Sequence, residues 1–88
     1  MVYILVTLLF VGNLSGQDCV ADDGTPGIEL WWNCYSIENT LELNLNNREL
    51  KGSIPPKIGK LRNLTVLSLS NNHLKGIIPP EIGGLMKL

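Results

Sequence analysis

Three aspartates near the start of the chain are the residues best suited to bind a cation. Asp18, Asp22 and Asp23 occur within DCVADDGTPG, and carboxylate oxygens are ligands that Ca²⁺ prefers. Their spacing does not match the calcium loop of an EF-hand, and Asp-Gly followed by Thr-Pro-Gly is typical of a turn. The segment therefore favours a turn over a calcium site, and we expect neither a metal nor a cofactor.

His73 is the single histidine of the chain and the obvious candidate for acid–base chemistry. It stands between Asn72 and Leu74, with no second ligand or nucleophile near it in the sequence, so we expect a solvated side chain. No pairing of a nucleophile with a base, no metal cluster and no phosphate-binding loop occurs in these residues. We therefore expect that this chain is not an enzyme.

Trp31 and Trp32 are adjacent aromatic residues, and two roles are open to them. Their rings could stack on a ligand such as a sugar. Adjacent aromatics ahead of a first repeat more often close the end of the core, with one ring inside and the other partly outside. We favour the second role.

An apolar run from Val2 to Val11 is followed by GNLSGQ, a pattern typical of a cleaved secretory signal peptide. The run is shorter than the roughly 20 residues that a membrane-spanning helix needs, so a permanent anchor is the less favoured alternative. We predict a signal peptide over residues 1–16 and a secreted protein of the extracellular space or the cell surface.

Export would give meaning to two further features. Cys19 and Cys34 can then pair as a disulfide, although two unpaired thiols remain the alternative. The triplet from Asn63 to Thr65 reads NLT, which is an acceptor pattern for N-glycosylation in a eukaryotic secretory pathway.

A repeat explains most of the second half of the chain. LKGSIPPKIGKL, from Leu50 to Leu61, returns as LKGIIPPEIGGL, from Leu74 to Leu85. Overlaying residues 41–64 on residues 65–88 gives identity at 13 of 24 positions. Self-similarity at this period with this leucine spacing is typical of a leucine-rich solenoid, in which each copy forms one coil.

Each coil must begin with a short strand, because leucines alternate with polar residues in LELNL and VLSLS. Alternation turns Leu43, Leu45, Leu67 and Leu69 inward, and stacked coils would pair their strands in parallel. The intervening residues then form an outward face that is a candidate for ligand binding, or is merely solvated. Its members are Glu42, Asn44, Asn46, Asn47, Val66, Ser68, Ser70 and Asn71.

The remainder of each coil contains residues that bend the backbone. We expect glycine to allow a turn, the following isoleucine to point inward, the first proline to end an extended segment and the second proline to open a short helical turn. The predicted structural positions are Gly52, Gly76, Pro55 and Pro79, with Ile54 and Ile78 inward. Lys57 and Glu81 share a register and are expected to form a surface ion pair.

The pattern LxLxxNxLxGxIPxxIGxLxxL resembles the plant-specific type of leucine-rich repeat, which occurs in receptor-like kinase ectodomains, in polygalacturonase inhibitors and in some bacterial surface proteins. The resemblance covers Thr40 to Leu88, and WWNCYSIENTLELNL is similar to the cap that opens such domains. It implies an α/β-type solenoid with short parallel strands on a concave face and short 3-10 or helical turns on a convex face. It also implies an N-terminal cap over 17–39, followed by two repeats and the start of a third over 40–88.

In the family that the chain resembles, an asparagine after each strand bonds to backbone groups and builds a ladder between coils. Asn72 fits this role. Arg48 stands at the equivalent place in the first coil and has donors but no acceptor. We expect Arg48 to point to solvent and the ladder to begin at Asn72.

The resemblance implies a module that binds a protein or a peptide through its concave face, within the N-terminal part of a longer receptor or surface protein. The alternatives are an inhibitor of an extracellular enzyme and an ectodomain fragment of a receptor kinase whose catalytic domain lies elsewhere. Residues 17–47 contain six acidic and no basic residues, whereas residues 48–88 contain seven basic and two acidic ones. This balance does not favour nucleic-acid binding, and a membrane association would need a downstream anchor.

Overall fold

The computed structural model describes residues 18–88, so the predicted signal peptide over 1–16 lies outside the described residues. Antiparallel strands come first and parallel strands follow. Within the described residues the strands are β1 (Cys19–Val20), β2 (Pro26–Leu30), β3 (Asn33–Ser36), β4 (Glu42–Asn44), β5 (Lys51–Gly52), β6 (Val66–Ser68) and β7 (His73–Leu74). Two 3-10 helices cover Pro56–Lys60 and Pro80–Gly84.

The first three strands form an antiparallel sheet in the order β1-β2-β3; residues 18–39, which contain it, are called the cap below. A disulfide joins Cys19 of β1 to Cys34 of β3 across the central strand, with 6.1 Å between the two Cα atoms. Gly27 of β2 makes room for this bridge, because a Cβ there would lie 2.7 Å from the sulfur of Cys34. The predicted pairing of the two cysteines is therefore present in the structure.

The two copies of the repeat pair through parallel strands. β4 pairs with β6 in the register of the sequence repeat, with Glu42 opposite its counterpart Val66. β5 pairs with β7 in a shifted register, because Lys51 lies opposite His73 and not opposite its counterpart Lys75. The first coil thus uses six residues (45–50) between its strands where the second uses four (69–72).

The expected helical turns are short 3-10 helices. Pro55 and Pro79 precede them in extended conformation, with φ of −67° and −62°, and a proline occupies the first helical position in each. This agrees with the fixed φ of proline and its missing N–H. The α/β class is wrong for the described residues, which contain no α-helix, because the short segment between the proline and the next leucine allows little more than one turn.

One apolar core runs from the cap sheet into both repeats. Its buried members are Ile28, Leu30, Ile37, Leu43, Leu45, Ile58, Leu61, Leu64 and Leu85. Leu67 and Leu69 are partly buried against the same cluster, so the inward positions predicted by the alternation are confirmed. Ile54, predicted inward from its place after the glycine bend, also packs there. These contacts support a solenoid-like stacking of the two coils upon the cap.

The expectation that Ile78 points inward is wrong, since its side chain is 68% exposed. Its counterpart Ile54 packs on the core, whereas among residues 18–88 no further coil covers the outer side of the second repeat.

Gly52 and Gly76 do occupy bends, with φ of +82° and +89°. Glycine is favoured at Gly52 by its dihedral angle and not by a lack of space, because a Cβ there would meet nothing within 4 Å. Positive φ is the conformation that glycine adopts readily and other residues rarely do.

Candidate functional site

The outward residues of the two aligned strands β4 and β6 form the candidate binding face. Glu42 lies beside Val66, and Asn44 lies beside Ser68. Their positions are fixed from behind by Leu43 and its neighbour Leu67, which face the core. Of the eight predicted residues, six are exposed: Glu42, Asn44, Asn47, Val66, Ser70 and Asn71. The pairing of β4 with β6 brings Glu42, Asn44 and Val66 together on one surface. The other three exposed residues lie beyond the ends of the two strands.

The other two predicted residues, Asn46 and Ser68, are half-buried and bind each other. The hydroxyl of Ser68 donates to the Oδ1 atom of Asn46 at 2.7 Å, and the backbone N–H of Ser70 donates to the same oxygen at 2.6 Å. Asn46 thus links the two coils just beyond the ends of β4 and β6. Its Oδ1 atom already accepts these two bonds, which reduces its capacity for a ligand donor.

Asn47 and Asn71 were expected on strands but lie beyond them, since β4 ends at Asn44 and β6 ends at Ser68. Both have left-handed backbone conformations, with φ of +57° and +59°. Asparagine tolerates this conformation better than most residues with a side chain. The two side chains remain exposed, but the identity of these residues is explained by the turn alone.

Asn72 forms the inter-coil ladder that the resemblance implied. Its Oδ1 atom accepts the backbone N–H groups of Arg48 at 2.9 Å and Leu50 at 3.0 Å. Its amide nitrogen donates to the backbone carbonyls of Leu45 at 2.9 Å and Leu69 at 3.0 Å. Arg48 itself is exposed, as expected. One side chain therefore satisfies backbone groups of both coils.

The expected ion pair between Lys57 and Glu81 is replaced by a pair between Lys57 and Asp18, whose Nζ and Oδ2 atoms lie 2.6 Å apart. Asp18 belongs to the cap and also accepts the backbone N–H of Glu29 at 3.2 Å. The bond from Lys57, with a further contribution from the Glu29 N–H, lowers the pKa of the Asp18 carboxyl. This contact ties the cap to the first 3-10 helix, which the sequence register did not indicate.

Asp18 and Asp23, two of the three aspartates considered for calcium, are bonded to other groups of the protein. Asp23 accepts bonds from the hydroxyl of Thr25 at 2.6 Å and from the amide of Asn39 at 2.9 Å, and these bonds lower the pKa of Asp23. Within residues 18–88, no three side chains of His, Cys, Asp or Glu converge on a point where a metal ion could sit. The segment is a turn that Asp23 closes through Thr25 and ties to Asn39.

The glycosylation pattern at Asn63 also has a structural use. The Nδ2 atom of Asn63, which would carry a glycan, donates to the backbone carbonyl of Glu38 at 2.8 Å. Thr65 of the same triplet donates its hydroxyl to the carbonyl of Leu41 at 2.9 Å. Residues 63–65, at the junction of the two copies, are thus bonded to residues 38–41, where the first copy begins.

Trp31 and Trp32 form the two-residue turn between β2 and β3. Trp31 packs against the core, whereas Trp32 is 87% exposed. Beside them lies a cleft of about 320 Å³ between the cap and the first repeat. The sequence predicted one ring in and one ring out, but nothing in it indicated the cleft, because the second wall comes from residues 48–51.

No helix in residues 18–88 has the length and apolar character needed to cross a bilayer.

Comparison with known proteins gives one match to a family model. Residues 63–85 match the family model described as Leucine Rich Repeat. They include β6, β7 and the whole of the second 3-10 helix. No curated protein and no solved structure matches the chain. The matched segment coincides with most of the second copy of the internal repeat, and its ladder asparagine makes the expected bonds. The chain therefore contains a leucine-rich repeat.

Proposed function

We propose that this chain is an extracellular recognition module that binds a peptide or a protein through the outward face of β4 and β6. The observation that carries the proposal is the alignment of exposed side chains on neighbouring coils, with Glu42 beside Val66 and Asn44 beside Ser68. Leucine-rich repeats generally bind proteins or peptides, and this face presents an acid, amides, hydroxyls and one exposed apolar side chain.

The size of the face favours a peptide or a small part of a larger ligand. A stable interface between two proteins buries about 800 Å² on each partner, which is more than two such short strands present. An extended peptide can use polar side chains for hydrogen bonds and Val66 as an apolar anchor. We propose a binding role without catalysis, and the same face would serve a receptor ectodomain or an inhibitor of an extracellular enzyme.

The disulfide between Cys19 and Cys34 supports the proposed extracellular location, because such bonds persist in oxidising compartments and are rare in the cytosol. The apolar run from Val2 to Val11, interpreted as part of a signal peptide over residues 1–16, supports the same location.

A random peptide library displayed on phage and selected against the immobilised chain tests the proposed face. Peptides that survive selection should lose at least about tenfold in affinity for the Val66→Arg variant, measured by biolayer interferometry, because the new side chain adds bulk and charge at the centre of the face. The matched control is Met86→Arg, which places the same charge on an exposed residue outside the face and should leave affinity unchanged.

Equal loss with both variants would contradict the proposal, as would selected peptides that ignore Val66→Arg. Circular dichroism spectra of both variants should match that of the parent chain, because both side chains are exposed.

A further inference from the structure

We propose that the cleft between the cap and the first repeat binds a pyranose ring of a neutral oligosaccharide, with Trp32 as the stacking surface. The cleft has a volume of about 320 Å³, at the small end of the range for small-molecule sites. None of the residues that line it belongs to the eight residues of the strand face. The proposal is therefore independent of peptide binding by that face.

One wall of the cleft is the turn between β2 and β3, and its two central residues are unusual for a turn of this type. Leu30 pairs with Asn33, so Trp31 and Trp32 are its two central residues, and their φ values are +46° and +69°. Two-residue turns with positive φ at both centres favour Asn-Gly or similar pairs, because a side chain strains the left-handed conformation. For Trp31 this strain is offset by the packing of its side chain on the core.

For Trp32 little packing offsets the strain, since 87% of its surface is exposed. Glycine or asparagine would form the same turn with less strain and less apolar surface in water. Left-handed backbone at residues with large side chains clusters at ligand sites. We infer that Trp32 is present for its exposed ring.

The opposite wall of the cleft comes from the first coil and has no equivalent in the second coil. It is formed by residues 48–51, which are the end of the longer segment between the strands of the first coil (45–50) and the first residue of β5. Glu49 has a φ of +59°, whereas the equivalent residue of the second coil, His73, does not have positive φ. Asn72 fixes this wall, because it accepts the N–H groups of Arg48 and Leu50.

The chemistry of the lining suits a sugar. A pyranose has a face of C–H groups, which packs on an aromatic ring, and a rim of hydroxyls that both donate and accept hydrogen bonds. The cleft supplies apolar and aromatic surface from Trp31, Trp32, Tyr35 and Leu50, and donors and acceptors from Asn33, Arg48, Glu49 and Lys51. Both halves of the ligand thus find partners.

Two other ligand classes fit less well. Aromatic cages bind quaternary ammonium ions, but Arg48 and Lys51 outnumber Glu49 in this cleft and would repel a cation. Proline-rich peptides also dock on aromatic grooves, yet their prolines have no N–H to donate. The carboxylate of Glu49 would then gain no partner from most of such a ligand.

The full chain is titrated with tetrasaccharides of β-1,4-linked glucose, xylose, mannose and N-acetylglucosamine, followed by tryptophan fluorescence and calorimetry. At least one should bind and shift the fluorescence, and Trp32→Ala should weaken its binding by at least about tenfold. Trp32→Phe should retain part of the affinity, because it keeps an aromatic face. Met86→Ala is the matched control, since Met86 is also 87% exposed.

A decaproline peptide and tetramethylammonium chloride are titrated in parallel. The proposal is overturned if no tetrasaccharide binds at concentrations up to about 10 mM, if binding survives Trp32→Ala, or if only the peptide or only the cation binds. Trp32→Gly relieves the positive φ, so we expect this variant to keep the fold and to lose sugar binding as Trp32→Ala does. Val66→Arg should leave sugar binding unchanged, so the outcome is distinct from that for the strand face.

Discussion

The two copies of the repeat are identical at more than half of their aligned positions and share the order of strand, strand and 3-10 helix, but they differ in what surrounds them. Leu64 is fully buried in the first copy, whereas Leu88, its counterpart, is 50% exposed. Ile58 is fully buried and Ile82 only partly so. The first coil lies between the cap and the second coil, and the second coil has a described neighbour on one side only. Burial in a repeat is therefore a property of the stack rather than of the coil.

The polar contacts of the first coil with its two neighbours also differ. Asn72 of the second coil bonds to backbone groups of the first, and Lys57 of the first 3-10 helix reaches Asp18 of the cap. Each interface is thus held by a different type of contact. Matched substitutions in the two copies measure how much each interface contributes.

The largest difference is expected between Leu64→Ala and Leu88→Ala. Removing a fully buried leucine destabilises a core by about 2–5 kcal/mol, whereas the half-exposed Leu88 should cost about 1 kcal/mol or less. Urea unfolding followed by tryptophan fluorescence measures both. Equal losses would show that the two copies are equivalently packed in solution.

Gly59→Ala and Gly83→Ala should also separate the two copies. A Cβ on Gly59 would lie 2.8 Å from the backbone oxygen of Glu81, in the second 3-10 helix, while a Cβ on Gly83 would meet nothing within 4 Å. We expect Gly59→Ala to cost about 1–3 kcal/mol by forcing the two helices apart. Gly83→Ala should be neutral or slightly stabilising, and the reverse order in urea unfolding would contradict this packing.

Asn72→Ala should weaken the bonds between the coils. The variant leaves the N–H groups of Arg48 and Leu50 without their acceptor, at a cost of about 1–3 kcal/mol. Hydrogen exchange by NMR should show faster exchange of both N–H groups. Arg48→Ala, at the matching position of the first coil, should change stability little because Arg48 is exposed. Unchanged protection in Asn72→Ala would show that the ladder does not hold this segment.

The smallest expected effect is at the boundary of the cap and first repeat. The pKa of Asp18 is lowered in the folded chain, so its contribution is complete above its ordinary pKa of about 3.9 and is lost as the pH falls through the lower folded value. Because both partners are partly exposed, we expect Asp18→Asn to cost at most about 1 kcal/mol at pH 7.

The difference between Asp18→Asn and the parent chain should shrink between pH 7 and about pH 3, because a group whose pKa is lowered on folding loses its stabilising contribution as the pH falls below its ordinary pKa. Asp22→Asn removes the same charge in the cap and serves as control. Urea midpoints at the two pH values measure the effect, and a loss that is independent of pH would contradict the ion pair.

Much of the fold followed from local patterns. The alternation of Leu43 and Leu45 with polar residues predicted a strand with its leucines inward, and the double proline ahead of each helix predicted where that helix begins. Asn72 was identified through resemblance. These features depend on the residue and its immediate neighbours, so a single coil contains the information for them.

The candidate site was predicted less completely. The alternation placed Asn46 on the binding face, but it could not show that Ser68 and Ser70 already occupy the Oδ1 atom of its side chain. The alternation also extended the strands to Asn47 and Asn71, where the backbone turns left-handed. The cleft beside Trp32 was not predicted because its two walls come from separate segments of the chain, one in the cap and one in the first repeat.

By itself, the sequence determined the repeat, its period, the inward leucines, the bends at Gly52 and Gly76 and the turn at Asp23. All of these rest on dihedral preferences and periodicity within a short stretch of chain. Only the tertiary structure decided that Lys57 binds Asp18 rather than Glu81, that Ile54 is covered while Ile78 is not, and that residues 48–51 face Trp32 across a cleft. These outcomes depend on which segments become neighbours when the cap and coils stack, and identical residues in successive coils meet different neighbours.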